Sequence, residues 1–525
     1  MTRNDRKIAS VVFFLFLCLI IYIYIKSSQA DSFLIYKYTA VAACYFVVKH
    51  LEHKQILLYA LALSGSLQSC VAFLQKTGIA ASNNMMFAVT GSFGNPGQLG
   101  GYLAVCGVVA ILLLINAIKN RHKFNICFLS VCVMLQIFGL YLADSRAAFL
   151  GLAVGLACYF LPKIKKHKKI IIGSIILLIF VVAVSLYFYR PASANARLLI
   201  WRVSAEMIAD KPLLGHGAGA FSKKYMLYQA QYFADNPNSV FVSVADNAAY
   251  PFNELLNIAI QYGLVGLLIV LAVFYLAFRS KGAAIFKASL AALTAFAMFS
   301  YPLAVFPLLL LFAVCLDGVW GDTVIAGLVT ERSRSMTRNP LCFSVIAGLV
   351  TERSRSMTRN PLKRLFIFVI CLLAGFFAVK NIIFLNRLSN EISKNIFTEQ
   401  SYEKMRHNRT YHDYYMNYLT EQPNIEHSGR ITELLPSCEN YCLLGEYFLA
   451  QKDYPEAENT LQTAANMIPT RLRPQYLLWL LYTETENADA ARNTAEKILK
   501  TPLKTESIYT LKVKAQMKKY LETEK

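Results

Sequence analysis

The chain has 525 residues, of which 56% are hydrophobic and only 16% are charged, and its mean hydropathy is +0.41. Soluble domains are about 45–50% apolar and about 25% charged. The composition therefore excludes a disordered chain, a collagen-like fibre, a small disulfide scaffold and a multidomain soluble enzyme. The net charge of +21 would suggest nucleic-acid binding in a soluble protein, but cytoplasmic loops of membrane proteins accumulate lysine and arginine. We predict an all-α, polytopic membrane helical bundle that binds the lipid bilayer and no nucleic acid.

Apolar runs long enough to cross a membrane recur along the chain. A helix needs about 20 apolar residues to cross a hydrocarbon core about 30 Å thick. Tyr301-Pro302 divides a run that is too long for one crossing, because proline interrupts helical hydrogen bonding. About eleven spans are predicted, near residues 8–25, 33–48, 56–74, 99–118, 124–143, 147–161, 170–187, 255–278, 283–300, 303–316 and 365–384.

The distribution of basic residues orients these spans. One set of alternate loops is rich in lysine and arginine, whereas the opposite short loops carry little more than Lys26, Lys76 and Arg146. By the positive-inside rule the N-terminus is cytoplasmic, and eleven crossings leave the C-terminus outside. The first apolar run lacks a small-residue cleavage site, so we interpret it as a retained span and not a cleaved signal.

This topology predicts four regions along the chain. Polar material collects on the outer side, in a large loop between the seventh and eighth spans and in everything after the last span. The regions are a transmembrane domain at 1–320 with its outer loop at about 188–254, a cytoplasmic loop at 321–364, the last span at 365–385, and an outer helical domain at 386–525.

The cytoplasmic loop contains a direct repeat. Val324–Leu341 recurs without change at Val345–Leu362, a period of 21 residues. Perfect identity indicates a recent duplication in the coding DNA, and exposed loops tolerate insertions. We assign the repeat no function.

The C-terminal domain contains a helix-turn-helix pattern with the spacing of a tetratricopeptide repeat. A shift of 34 residues finds a degraded copy that retains Leu478, Tyr482 and Ala491. Generic helical hairpins are the alternative. Stacked helical repeats form concave binding surfaces, so a protein partner is expected here. The eight signature positions are Tyr441, Leu444, Gly445, Phe448, Ala457, Leu461, Ala464 and Pro469.

The cysteines predict neither a metal site nor a disulfide framework. Most lie inside apolar runs, and none forms a Cys/His cluster with metal-ligand spacing. Cys438 and Cys442 lie one helical turn apart, where packing is favoured over a bridge. No metal and no cofactor is predicted.

Five stretches, in chain order, carry a resemblance to a known family. They all fall on the outer side of the predicted topology, between about residues 85 and 320. They are Gly91–Pro96 (GSFGNP), Asp144–Ala148 (DSRAA), Arg197–Trp201 (RLLIW), Pro212–Phe221 (PLLGHGAGAF), and Asn253–Leu256 (NELL) leading to Gly263–Leu267 (GLVGL). Together they resemble the O-antigen ligase and O-antigen polymerase family of bacterial membrane glycosyltransferases.

The resemblance implies an enzyme of the bacterial cytoplasmic (inner) membrane. Its members move a glycan from an undecaprenyl diphosphate carrier to an acceptor on the periplasmic face, here a lipid A-core saccharide or a protein hydroxyl. A polymerase shares these motifs, so the two activities stay open. A glycolipid transporter or a non-catalytic scaffold is the alternative from another class. A transporter predicts intramembrane charges and matched broken helices, and the sequence has only isolated charges near span ends.

Two arginines are the candidates for binding the diphosphate. A diphosphate leaving group needs fixed positive charge, and arginine binds phosphate oxygens with paired donors. Arg146 lies in a short turn between two spans; helix capping or headgroup anchoring is the alternative. Arg197 and Trp201 are four residues apart and share a helix face, with an interfacial helix as the alternative.

Other candidates follow in the outer loop. A tight turn is allowed by the glycines Gly215, Gly217 and Gly219. This turn either contacts substrate or has only a structural role. His216 lies between the glycines and is either a candidate base or a structural histidine.

The end of the loop departs from the family pattern. Many members carry a histidine directly before the residue that corresponds to Asn253, and here that position is Phe252. Phenylalanine cannot accept a proton, so either Glu254 or Asp246 replaces the histidine base, or diphosphate departure dominates and the base is less important. Asn253 and Glu254 also suit the cap of the eighth span.

Overall fold

The computed structural model describes residues 54–84, 86–164, 191–280, 282–320, 435–504 and 506–523, with the single positions 173, 429, 432 and 433. Across these ranges every regular element is helical, as predicted. The α-helices are α1 (Lys54–Lys76), α2 (Pro96–Lys119), α3 (Lys123–Ala143), α4 (Arg146–Phe160), α5 (Pro191–Asp210), α6 (Ala220–Asp235), α7 (Glu254–Arg279), α8 (Ala284–Ala297), α9 (Phe306–Trp320), α10 (Cys438–Ala450), α11 (Tyr454–Met467), α12 (Leu472–Glu484), α13 (Ala488–Lys500) and α14 (Ile508–Thr523).

Five of these helices are long and apolar enough to cross a membrane, namely α1, α2, α3, α4 with its continuation to Lys163, and α7. Helices α8 and α9 are shorter but apolar. A 3-10 turn at Pro302–Ala304 separates them, as the Tyr301-Pro302 pair predicts. The chain is therefore a multi-pass membrane protein. The predicted spans near 8–25, 33–48, 170–187 and 365–384 and the 21-residue repeat lie outside the described residues, so the count of eleven stays a prediction.

The chain divides into two compact units. The first contains α1 to α4, the C-terminal part of α7, and α8 and α9. Its centre is α2, which buries Leu99, Leu103 and their neighbours, while α1 and α3 expose large apolar side chains such as Leu67 and Met134. Apolar side chains on an outer face suit contact with lipid.

Small residues bring α4 and α8 close together inside this unit. A Cβ atom at Gly151 would lie 2.8 Å from the Ala292 carbonyl oxygen, and one at Gly155 would lie 2.8 Å from the Ala288 carbonyl oxygen. This spacing of two glycines four residues apart is the one that membrane helices use for close backbone approach. The N-terminal ends of α2 and α4 thus belong to a tightly packed scaffold.

The second unit contains α5, α6, the N-terminal part of α7, and α10 to α14. Helices α10 and α11 form one hairpin and α12 and α13 a second. A Cβ at Gly445 would lie 2.4 Å from Leu461 Cδ2, so this glycine permits the predicted close approach. Cys438 and Cys442 are free, buried thiols that pack in the hydrophobic core of this unit. The tetratricopeptide type of these hairpins stays a prediction.

Candidate functional site at the outer loop and the helix ends

The Gly91–Pro96 motif is a turn held by two glutamines of α1. The Gln75 side-chain oxygen accepts hydrogen bonds from the Thr90 and Gly91 amides at 2.8 and 2.7 Å, and the Gln68 side-chain oxygen accepts one from the Ser92 amide at 3.0 Å. Asn95 then caps α2, accepting from the Gly97 amide at 2.7 Å. The polar residues of this motif thus fix the start of α2.

The Asp144–Ala148 motif is the tight connection between α3 and α4. Asp144 adopts a left-handed conformation (φ 44°), and buried Ser145 packs so closely on α2 that a Cβ at Gly100 would lie 2.6 Å from its Cβ. Arg146 follows as the first, half-buried residue of α4. A cation opposes the dipole at a helix N-terminus, so the helix dipole does not favour an arginine at this position.

In the second unit, Arg197 and Trp201 lie on one face of α5, as predicted, and both reach the segment before α7. The Arg197 guanidinium carbon lies 5.6 Å from the centre of the Phe252 ring, within cation–π range. Trp201 Nε1 donates a hydrogen bond to the Pro251 carbonyl oxygen at 3.0 Å. Phe252 itself has a positive φ of 52°. Phe252, at the position where the resemblance predicts a histidine, therefore contacts Arg197, and no local sequence signal indicates this contact.

The residues after Phe252 cap α7, which confirms the capping interpretation of Asn253. Asn253 Oδ1 accepts from the amides of Leu255 and Leu256 at 2.9 and 3.2 Å. Glu254 is only 3% exposed, and its carboxylate accepts a hydrogen bond from Asn257 at 3.0 Å.

A chain of side-chain hydrogen bonds continues from Asn257 along α7. Gln261 Nε2 donates to Asn257 Oδ1 at 2.7 Å, and Gln261 Oε1 accepts from the Gly219 amide at 2.9 Å. Since Glu254, Asn257 and Gln261 share one helix face, the buried carboxylate is connected to the glycine-rich turn.

The glycine-rich turn completes a break in α7. Gly263 has φ 62° and ψ −166°, which interrupts the helical hydrogen-bond ladder. The freed carbonyls of Ile260 and Gln261 accept from the His216 and Gly217 amides at 2.8 and 2.9 Å. The freed amides of Leu264 and Val265 donate to the carbonyls of residues 212 and 213 at 2.8 and 3.3 Å. Buried backbone polar groups are almost always paired within the protein, and these hydrogen bonds pair the groups that the break frees.

Three positive-φ glycines shape the turn that makes this pairing. Gly215, Gly217 and Gly219 have φ values of 69°, 94° and 71°, a region that L side chains rarely adopt. At Gly215 a Cβ would also lie 2.5 Å from the Gln261 carbonyl carbon. The backbone conformation of the turn therefore favours glycine at all three positions, and at Gly215 the contact with α7 requires it.

His216 lies beneath this turn with its side chain fully buried. Its Nε2 lies 2.7 Å from the Met207 carbonyl oxygen, which can only accept, so Nε2 carries the proton. Nδ1 then accepts from Lys224 Nζ at 3.4 Å. Both ring nitrogens have protein partners, an arrangement that favours the structural interpretation over the base. The described residues include no group of His, Cys, Asp or Glu suited to hold a metal ion.

The candidates thus fall into two places. Arg146 belongs to the first unit. In the second unit the structure brings together α5, the segment before α7 and the glycine-rich turn. The candidates there are Arg197, Trp201, Gly215, His216, Gly217, Gly219, Asn253 and Glu254.

Comparison with known proteins finds a family that residues 131–271 resemble. Residues 131–271, which contain every candidate site residue, match the O-antigen ligase family model. Proteins of Rickettsia conorii and Rickettsia felis, both named "Putative polysaccharide ligase", are 31% and 30% identical over 189 residues. Each match covers 33% of this chain and 43% of the relative, so the chain spans less than half of the relatives' length. No solved structure matches the chain significantly. The resemblance predicted from the motifs is confirmed over residues 131–271, where the chain is similar to the O-antigen ligase family.

Proposed function

We propose that this protein transfers a glycan from undecaprenyl diphosphate to an acceptor hydroxyl on the periplasmic face of the inner membrane. The acceptor is a lipid A-core saccharide or a protein. The family match and the apolar helices support a glycan-transferring membrane protein. The N-terminus would be cytoplasmic and the C-terminal helices periplasmic, as the positive-inside rule predicts.

The reaction defines what the residues must do. The bond between the anomeric carbon and the diphosphate oxygen breaks, and its electron pair leaves with the diphosphate. The acceptor oxygen forms the new bond to that carbon and releases its proton to a base. The developing charge on the diphosphate is stabilised by preorganised cations, the role that we propose for Arg146 and Arg197.

The observation that carries the proposal is the packing of Arg197 on Phe252. An aromatic ring fixes a guanidinium through its quadrupole and leaves the net positive charge in place. The Phe252 contact therefore orients the Arg197 guanidinium. We propose that it binds an anionic ligand there, and that Trp201 on the same face contacts substrate beside it.

For the base, the contacts favour Glu254 over the other candidates. Asp246 is paired with Arg471 and Lys504, and the Nδ1 lone pair of His216 is directed to Lys224. Glu254 is connected through Asn257 and Gln261 to the glycine-rich turn. We propose that Glu254 is the base and that Asn253 positions it. We also propose that the turn formed by Gly215, His216, Gly217 and Gly219 binds the substrate.

A polymerase, in which the acceptor is a second carrier-linked glycan, is the alternative activity. The relatives' names as polysaccharide ligases favour the ligase. We further propose that the C-terminal hairpins are tetratricopeptide-like and offer a surface to a protein partner.

The test is glycan transfer by Arg197 variants in proteoliposomes with a carrier-linked glycan and acceptor. Losing one preorganised charge contact costs about 100- to 1000-fold in rate, so Arg197→Ala should lose that much. Arg197→Lys keeps the charge without the paired donors and should be intermediate. Arg202→Ala is the matched control, because Arg202 lies on the same helix, is 68% exposed and pairs only loosely with Glu206 at 3.5 Å. Transfer by Arg197→Ala at the parent rate would refute the proposed role.

A further inference from the structure

The C-terminal helices and the outer loop of this chain share one hydrophobic core. Tyr225 and Phe233 of α6 are buried in the same cluster as Leu461, Ala464 and Met467 of α11. Their exposed fractions are 3% or less. The family match ends at residue 271, so α10 to α14 lie outside the matched segment and α11 packs directly on it.

A buried glutamine joins three parts of this interface. Gln229 of α6 is 1% exposed, and its Nε2 donates to the Met467 carbonyl at 2.7 Å and to the Asp246 carbonyl at 3.3 Å. Its Oε1 accepts from the Tyr225 hydroxyl at 2.8 Å. The end of α11 and the backbone of the outer loop are thus bound to one side chain.

The Asp246 carboxylate is held by two cations from the C-terminal helices. Lys504 Nζ lies 2.8 Å and Arg471 Nη2 3.4 Å from its oxygens. Burial alone would raise the pKa of Asp246, but the hydrogen bond and charge of Lys504, with Arg471, lower it below the ordinary value. Arg471 also pairs with Glu439, which accepts a hydrogen bond from Asn247 at 2.6 Å.

The buried contacts and the charged contacts of this interface contribute differently to its stability. The three charged side chains at Asp246 are 44–53% exposed, and such ion pairs contribute little to stability. The buried cluster and Gln229 therefore hold the two parts together. Charged pairs at the edge of an interface mainly set its register, and here they set the position of the loop backbone at Asp246 and Asn247.

From Asp246 the chain runs only five residues to Pro251, the acceptor of the Trp201 hydrogen bond, and six to Phe252, which packs on Arg197. The segment is thus fixed at one end by the C-terminal helices and at the other by α5. We propose that Asp246 is a positioning residue, through which Arg471 and Lys504 place the Phe252 ring and hence Arg197. This inference rests on the proposed function for its effect on transfer, but not for its effect on the loop.

The experiment uses Trp201 as a reporter of the loop. The chain has three tryptophans, so Trp320→Phe and Trp479→Phe in the full-length protein leave Trp201 alone. In this background, Asp246→Asn and the pair Arg471→Ala/Lys504→Ala are compared with the parent by acrylamide quenching and by glycan transfer. Glu446→Gln is the matched control, because it removes a comparable half-exposed ion pair, to Arg473 at 2.8 Å, that lies within the C-terminal helices alone.

We expect both Asp246→Asn and the double variant to quench more strongly and to emit at longer wavelength, since Trp201 loses its fixed partner. We expect kcat to fall about 10-fold with KM nearly unchanged, because displacement of a positioned group by about 1 Å costs up to about 100-fold. Glu446→Gln should match the parent in both measurements. Unchanged Trp201 quenching in Asp246→Asn and in the double variant would overturn the inference. Failure of the proposed function is distinguishable, because the parent itself would then transfer no glycan.

Discussion

The break in α7 at Gly263 is a direct test of how the loop and the helix are joined. Substitution of Gly263 by alanine places a side chain at φ 62° and ψ −166°, a region that costs about 1–3 kcal/mol for residues with a Cβ. The new Cβ would also lie 2.1 Å from the Leu213 carbonyl oxygen, which is backbone and cannot rotate away. The backbone at residues 212 and 213 must therefore separate from α7.

That separation breaks the two hydrogen bonds that the Leu264 and Val265 amides make to the loop. Each contributes about 0.5–1.5 kcal/mol net, so together with the strain the total cost is about 2–6 kcal/mol. A whole domain has only about 5–15 kcal/mol of stability. We expect Gly263→Ala to lower the unfolding temperature strongly and to reduce transfer, because the turn carrying His216 shifts.

The assay is thermal unfolding of the detergent-solubilised protein, measured as the fraction that stays monodisperse after heating. Two glycines serve as controls. At Gly217 (φ 94°) a Cβ would meet nothing within 4 Å, so alanine there adds strain without a clash. At Gly94, which has neither a positive φ nor a neighbour within 4 Å, alanine should be neutral. The reasoning predicts losses in the order Gly263, Gly217, Gly94, and Gly263→Ala as stable as Gly94→Ala would refute it.

Three further predictions concern the ends of the spans and the repeat. Arg146→Ala should lose about 100- to 1000-fold in transfer and Arg146→Lys less, measured in membranes with equal protein; parent-like transfer by Arg146→Ala would leave the arginine a structural role. A reporter that is active only in the cytoplasm, fused after Lys525, should be silent, and a bright signal would reverse the topology. Deletion of residues 342–362, one 21-residue period, should leave transfer and membrane level unchanged, and lost activity at normal levels would assign the repeat a role.

Local features of the site were predictable from sequence because they depend on neighbouring residues. Asparagine at position 253 caps a helix through amides two and three residues ahead, and Arg197 and Trp201 share a face because they are four residues apart. The break between α8 and α9 follows from Pro302, which restricts its own backbone. The seven apolar helices among the described residues, α1 to α4 and α7 to α9, are likewise predictable, because hydropathy depends only on the residues of each helix.

Contacts between distant residues were not predictable. Phe252 is interpreted from sequence only as a lost histidine, since nothing local indicates that its ring lies against Arg197, 55 positions earlier. From sequence Asp246 is likewise interpreted as a candidate base, because its partners Arg471 and Lys504 lie more than 200 residues away in the chain. The break at Gly263 leaves backbone groups of α7 without helical partners, and the amides and carbonyls of residues 212–217 provide the hydrogen bonds that replace them. Each of these depends on tertiary packing, which a single sequence does not specify locally.

The central claim is tested most directly with the purified protein in proteoliposomes that contain a carrier-linked glycan labelled in its sugar. With a lipid A-core or protein acceptor present, the label should move to that acceptor while the undecaprenyl diphosphate carrier is released in equal amount. Label that appears instead on longer carrier-linked glycans identifies the polymerase. If the label stays on the carrier with every acceptor, while the protein is folded and correctly inserted, the account of this chain as a glycan transferase is wrong.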